Sequence, residues 1–320
     1  MSRAQLTSTV EQNTGGAVSP YVAGKNFLIN GGFDIWQRGT SGLGAGYAAD
    51  RWFLATSTAS QDTTKVATGC QYSMKVTTST TTAVAIYQSI ETANSVALAG
   101  KTVTLSHNLA ASTSTLVYYQ IGYSTSDNVT PTGSFTTINS NSFTATTTMS
   151  AATPLTVAIP STARTVWVNY YTGSLASGVS IFFSGMQLEI GSVATPFSRA
   201  GGTLSGELAL CQRYYWRSTG VEAYGRFAGM AVASSTTAVL FAPALPVTMR
   251  TYPQSLDYSN IYVYDGVTGI AVSSATIQSG GGSLNSTSLN LAITGAVLYR
   301  PYFVATNNNA AGYIGYSAEL

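Results

Sequence analysis

Chemistry that moves protons needs a histidine or a pair of carboxylates held together in a cleft. His107 is the one histidine, and it shares strand parity with Val103, Leu105 and Leu109, which makes it a satisfied core residue rather than a base. Glycoside hydrolysis needs two carboxylates across one bond. Asp34, Asp50, Asp62, Glu91, Asp127, Glu189, Glu207, Glu222, Asp257 and Asp265 form no pair marked by a motif, so the expectation is a protein that is not an enzyme. Tyrosine, with 20 copies, offers a different chemistry. Aromatic faces stack on the apolar side of a pyranose while Asn, Gln, Asp or Arg read its hydroxyls. Tyr252, Asp257, Tyr258, Asn260, Tyr262 and Tyr264 are therefore the candidate ligand-binding set, with Tyr262 and Tyr264 on one face of a short strand. The same tyrosines would serve equally as cross-strand packing or a subunit interface. Tyr118, Tyr119, Tyr170 and Tyr171 split between two faces, which puts half of them in the core.

The elements that must position these residues are mostly short strands. Phe27, Ile29, Phe33 and Ile35 have a two-residue period, which predicts a first strand there. Asp50 and Arg51 could anchor the start of another, with Trp52 as core. Further strands are expected at Tyr72/Met74/Val76, Val84/Ile86/Ile90, Val103/Leu105/Leu109, Leu116–Tyr123, Leu155/Val157/Ile159, Val166–Tyr171 and Val179–Phe183. This spacing with Ser, Thr, Gly and Asn turns predicts a β-sandwich. Apolar parity changes from Phe183 to Met186, which places a bulge at Gly185. Beyond Arg226 the segments Phe227–Val232, Val239–Ala242, Ile261–Tyr264, Leu289–Ile293 and Val297–Val304 predict a second, smaller sandwich, with Ser279–Ser283 as a Gly-rich turn. Pro301 argues for an edge strand. Between the two regions, Leu204, Leu208, Cys211 and Tyr215 recur at steps of three and four and predict a helix of about three turns from Ser205. Its apolar stripe is a candidate oligomer seam.

Composition limits what these elements can do. The chain has 320 residues, enough for two domains, with 8% charged residues, a net charge of +2 and 45% hydrophobic residues, so it should fold. Clustered Lys and Arg are lacking, which sets nucleic acid aside. Cys70 and Cys211, the 2 cysteines, are expected as buried free thiols. Neither an export signal nor a membrane-inserting segment is expected.

Three ordered motifs carry a resemblance: Asn26-Phe-Leu-Ile-Asn-Gly-Gly-Phe-Asp34, Gly100-Lys-Thr-Val-Thr-Leu-Ser106, and Phe183-Ser-Gly-Met-Gln-Leu-Glu189 running through Ala194-Thr-Pro-Phe197. In order and spacing they are similar to jelly-roll carbohydrate-binding modules. With Asp34-Ile-Trp-Gln-Arg-Gly39, Ala49-Asp-Arg-Trp52 and Glu207-Leu-Ala-Leu-Cys-Gln-Arg-Tyr-Tyr215, the chain resembles the version found on tailed-bacteriophage fibres, spikes and other virion appendages. The closing Ala310–Leu320 also looks like the C-termini of such proteins.

The resemblance implies an all-β chain with two jelly-roll-like β-sandwich domains joined by one short α-helix. Residues 1–25 would be an extended arm docking on other virion proteins and 26–199 the jelly roll. Residues 200–218 would be linker and helix, and 219–320 a terminal sandwich and possible receptor-binding head. It also implies a homotrimer, with Leu204, Leu208, Cys211 and Tyr215 as its seam, and a virion location without a signal peptide. The expected function is non-enzymatic, multivalent attachment to host-surface glycan. The alternative is a capsid decoration, collar or connector component that binds no glycan. Related modules hold a structural calcium beside the residue matching Asp34. Phe183-Ser-Gly-Met186 lacks the second acid, so that site should be weak or absent and no cofactor is expected.

Overall fold

A computed structural model describes residues 24–320. All but the last two residues of the expected docking arm, residues 1–25, lie outside the described residues. The chain is all-β, and its helices among the described residues are α1 (Thr92–Ser95) and α2 (Leu204–Gln212). It forms two compact units: the described residues up to Leu208 together with Leu320, and Ala209–Glu319.

The first unit begins with β1 (Gly46–Tyr47), β2 (Phe53–Leu54), β3 (Thr58–Asp62), β4 (Ser73–Thr77), β5 (Thr82–Ile90) and β6 (Thr102–Ala111). Then follow β7 (Thr115–Ser124), β8 (Thr136–Ala145), β9 (Ser150–Ala151), β10 (Leu155–Ala158), β11 (Thr165–Leu175) and β12 (Ser180–Ile190). One sheet has the order β1-β2-β5-β11-β7-β8; the other is β10-β6-β12-β4-β3, with β9 on β6. Alternation explains the sandwich. Val84, Ile86, Val166, Val168 and Tyr170 from the first sheet meet Val103, Leu105, Phe183 and Leu188 from the second in one core that also holds Trp52. Each such aliphatic or aromatic side chain contributes about 1.5–3 kcal/mol of burial. Register shifts between Ser184 and Gln187, and Gly185 has φ 62°, so the parity change in the sequence is a bulge inside one long strand.

The segment Phe27–Ile35 departs from its predicted strand. It is a series of turns in which Asn30 and Phe33 have φ 58° and 55°. The Asn30 amide takes the place of a ladder, donating to Ile35 O and Asp50 O and accepting from Ile35 N. Local side-chain bonding of this kind competes with strand pairing.

The second unit contains β13 (Tyr215–Thr219), β14 (Arg226–Ala233), β15 (Ala238–Phe241), β16 (Ser255–Ser259) and β17 (Ile261–Tyr264). It continues with β18 (Gly269–Ala271), β19 (Ser274–Gly282), β20 (Thr287–Ala292), β21 (Pro301–Thr306) and β22 (Tyr313–Ser317). A three-stranded sheet, β13-β22-β16, and a seven-stranded sheet, β18-β17-β21-β14-β15-β20-β19, enclose a core including Val239, Phe241, Val263, Leu291, Val304, Ile314 and Tyr316. Pro301 does not mark an edge strand, because β21 lies between β17 and β14. It opens the strand, a position that proline tolerates. Most of the Gly-rich run expected as a turn belongs to β19.

The helix ends at Gln212, and Tyr215 opens β13 instead of extending the apolar stripe. Two of the four expected seam positions are covered within the chain itself. Cys211 has no exposed surface and Tyr215 is 1% exposed, while Leu204 is 51% exposed and Leu208 partly buried. The buried helical positions are Glu207 and Cys211, a face that hydropathy alone would not select.

Candidate functional site

The C-terminal candidate residues do not converge on one pocket. Asp257 lies on the outer face of the three-stranded sheet, 2.8 Å from the Tyr215 hydroxyl and 2.6 Å from an Arg217 nitrogen. Tyr258, next to it, turns the other way and packs against the core. Asn260 is an exposed turn residue whose amide donates to Ser259 Oγ. Tyr252 lines a separate groove of about 370 Å³ with Ile277, Gln278 and Gly280. Tyr262 and Tyr264 are neighbours on the seven-stranded sheet, 6.3 Å between ring centroids, and Tyr224 adds a third ring 5.4 Å from Tyr262.

The motif residues of the jelly roll meet in a buried polar clamp. Asn26 donates to Met186 O and Ser198 O and accepts from Leu28 N and Leu188 N. Glu189 accepts from Thr195 N and Oγ1. Glu207 reaches back from α2 to accept from Asn30 N and Gly201 N. Burial raises the Glu207 carboxyl, while those two backbone donors act to lower it. These side chains are spent on holding loops in place. The donor set at Asp34 does not suit a cation, because Arg199 takes both carboxylate oxygens, at 2.7 and 3.1 Å. His107 is in the core but is not satisfied: its ring stands edge-on between Tyr119 and Tyr170, 4.3 and 4.9 Å away, and neither nitrogen has a hydrogen-bond partner.

The outer face of the unbranched six-stranded sheet, β1-β2-β5-β11-β7-β8, assembles what a binding site requires. One row crosses all six strands: Tyr47, Phe53, Tyr87, Asn169, Gln120 and Ser140, each directly opposite the next. Its first half is aromatic and its second half polar. On one side of this row Trp167 faces Ser89 and Gly122; on the other, Tyr171 faces Ala85 and Tyr118. Alternation puts all of them outward, since Val166, Val168, Tyr170, Ile86 and Tyr119 occupy the core.

Ring packing fixes this face. Trp167 stacks between Phe135 and Tyr87, at 5.1 and 5.9 Å, and its indole N–H donates to Pro131 O. Gly122 provides its floor, where an added Cβ would come within 3.0 Å of the indole. Tyr118 and Tyr171 stack at 5.1 Å, and Tyr47 meets Phe53 edge-on at 5.4 Å. Partial burial raises the Tyr87 hydroxyl. Past Tyr118 the face runs into a cleft of about 430 Å³ lined by Thr113, Ser114, Leu116 and Ser174. Asn169 Oδ1 and Ser89 Oγ are buried in this face without a hydrogen-bond partner. None of the side chains named in the three rows is charged. Rings beside amides and hydroxyls can stack on sugar faces and pair with sugar hydroxyls.

Sequence reasoning split Tyr118, Tyr119, Tyr170 and Tyr171 between two faces without saying which pair is core; the buried pair is Tyr119 and Tyr170, while Tyr118 and Tyr171 stack on the other face. It missed Tyr87, Trp167 and the row itself. The available signal was aromatic residues on the solvent parity of apolar strands, such as Trp167 between Val166 and Val168.

No protein-family profile matches the chain, and no curated protein matches it. Among solved structures, the chain is similar to the enzymatically active domain of tailspike protein 4 of bacteriophage CBA120, with 17% identity and a TM-score of 0.35 over 54% of this chain and 22% of that one. It is similar to TmCBM61 in complex with β-1,4-galactotriose, with 12% identity and a TM-score of 0.36 over 52% of this chain and 99% of that one. The N-terminal cellulose-binding domain of Cellulomonas fimi β-1,4-glucanase C gives 17% identity and a TM-score of 0.32 over 45% and 90% of the two chains.

Proposed function

We propose that this chain binds carbohydrate without catalysis, through the outer face of its six-stranded sheet, and that it does so as a tailed-phage appendage attaching to host-surface glycan. The observation carrying the binding is the continuous row from Tyr47 to Ser140, with Trp167 and Tyr171 on either side. The phage setting rests on the ordered motifs from Asn26 to Tyr215. Several copies per particle, as in a homotrimer, would raise the effective concentration of each further contact, so modest affinity per face suffices. A glycan array probed with the full chain tests the proposal. It should show a restricted set of bound glycans, and purified virions lacking the protein should adsorb less to host cells. Binding to no glycan, with the protein found in the virion, would support the decoration or connector role instead.

A further inference from the structure

We propose that the seven-stranded sheet of the C-terminal unit carries a second saccharide site, of a different class: a site for a carboxylate-bearing sugar, built on Tyr262 and Arg226. Registration puts Ala271, Tyr262, Ala305 and Arg226 in one row on the outer face, with Gly269, Tyr264, Phe303 and Met230 in the next. Gly269 leaves room for the Tyr262 ring to lie across the neighbouring strand, where an added Cβ would come within 2.7 Å of it. The ring therefore rests on the sheet, in the orientation that suits stacking of a pyranose. Tyr224, 51% exposed, meets it edge-on and forms a wall.

The charge on this face points to the ligand class. Arg226 is exposed, with its guanidinium 4.0 Å from the centre of the Phe303 ring. Among the described residues no carboxylate lies within ion-pair distance of it. The acid nearest in sequence to Tyr264, Asp265, is already committed: it pairs with Arg300 at 2.6 Å and accepts from Val267 N and Thr268 N. A guanidinium lying over a ring, without an ion-pair partner, keeps its fork available for a bidentate carboxylate. A polyphosphate would call for a row of cations, which the face lacks. The six-stranded sheet presents no comparable unpaired cation among the residues of its three rows, so the two faces would take glycans of opposite character.

The test uses the full chain on an array pairing sialylated and uronate-containing glycans with their methyl-esterified, neutral counterparts. The wild type should prefer the carboxylated member of at least one pair. Arg226→Gln and Tyr262→Ala should each weaken that binding about tenfold, the scale of one charge-assisted contact. Raising salt from roughly 50 to 500 mM should weaken it as well. Trp167→Ala should leave it unchanged, which separates this site from the one on the six-stranded sheet. No preference for any carboxylated glycan, or equal binding by Arg226→Gln, would overturn the proposal. So would a shift of an oligomer toward monomer in both variants without any change in glycan binding, since the face would then be an interface between copies.

Discussion

His107 is buried with neither ring nitrogen paired, and burial lowers its pKa from 6.5 to about 3. Between those values the unfolded chain takes up a proton that the folded chain refuses. Stability should therefore fall as pH drops from 6.5, by up to about 1.4 kcal/mol per unit. His107→Phe should flatten this slope, as denaturant midpoints at about pH 7 and about pH 4 would show. Glu207 has the opposite sign. Its carboxyl is raised above 4.5, so the folded state holds the proton more tightly, and the stability this adds is lost as pH rises through the folded value. Glu207→Gln leaves one acceptor for two backbone donors and should cost about 1–3 kcal/mol in thermal unfolding; Leu204→Ala, at an exposed position, should cost much less. The sequence shows Glu207 only as an acid in a helix, because its worth comes from Asn30 and Gly201, which no local pattern connects to it. Trp167 is similar: its type is visible, but its place between Phe135 and Tyr87, 7% exposed, depends on which neighbours pair with β11.

At the scale of elements, alternation was a sound guide wherever apolar residues were dense. Leu116–Tyr123 grew only to Thr115–Ser124, and the parity change at Gly185 marked a real bulge. It failed in two physical situations. The strand β8, Thr136–Ala145, is mostly Thr, Ser and Asn, with Ile138, Phe143 and Ala145 its apolar residues, so there is little hydropathy to alternate. The Asn26–Asp34 segment alternates but folds as turns, because Asn26 and Asn30 bond to backbone more effectively than a ladder would. The helix face was misassigned because its buried member is a hydrogen-bonded acid. The candidate site was legible least of all: its row joins residues from Tyr47 to Asn169, and register, which brings them together, is set by pairing over long sequence distances. One substitution tests whether the face depends on that geometry. Gly122→Ala would press on the Trp167 ring and on Thr136 O. It should weaken glycan binding several-fold while costing roughly 1–2 kcal/mol of stability, within the range for overpacking.

The whole molecule has two separate cores, one in each unit. Calorimetry should then resolve two transitions. Leu105→Ala should lower the transition of the first unit and Leu291→Ala that of the second, each by about 2–5 kcal/mol; a single transition lowered equally by both would show the cores to be coupled. The two compact units meet between Leu208 and Ala209, inside α2, a point that no local pattern marks, since helix propensity runs through it. No helix is long and apolar enough to cross a membrane among the described residues. Under the proposal of two saccharide sites, one on a face uncharged along its rows and one beside Arg226, a single chain would hold a heterogeneous glycan surface at more than one point.

The most direct test of the central proposal is calorimetric titration of the full chain with the strongest neutral glycan found on the array, comparing wild type with Trp167→Ala and Tyr87→Ala. Removing a central aromatic anchor should weaken binding by roughly tenfold or more, with the folded baseline unchanged by circular dichroism. Wild-type affinity in both variants would contradict the assignment of the six-stranded face as the glycan site.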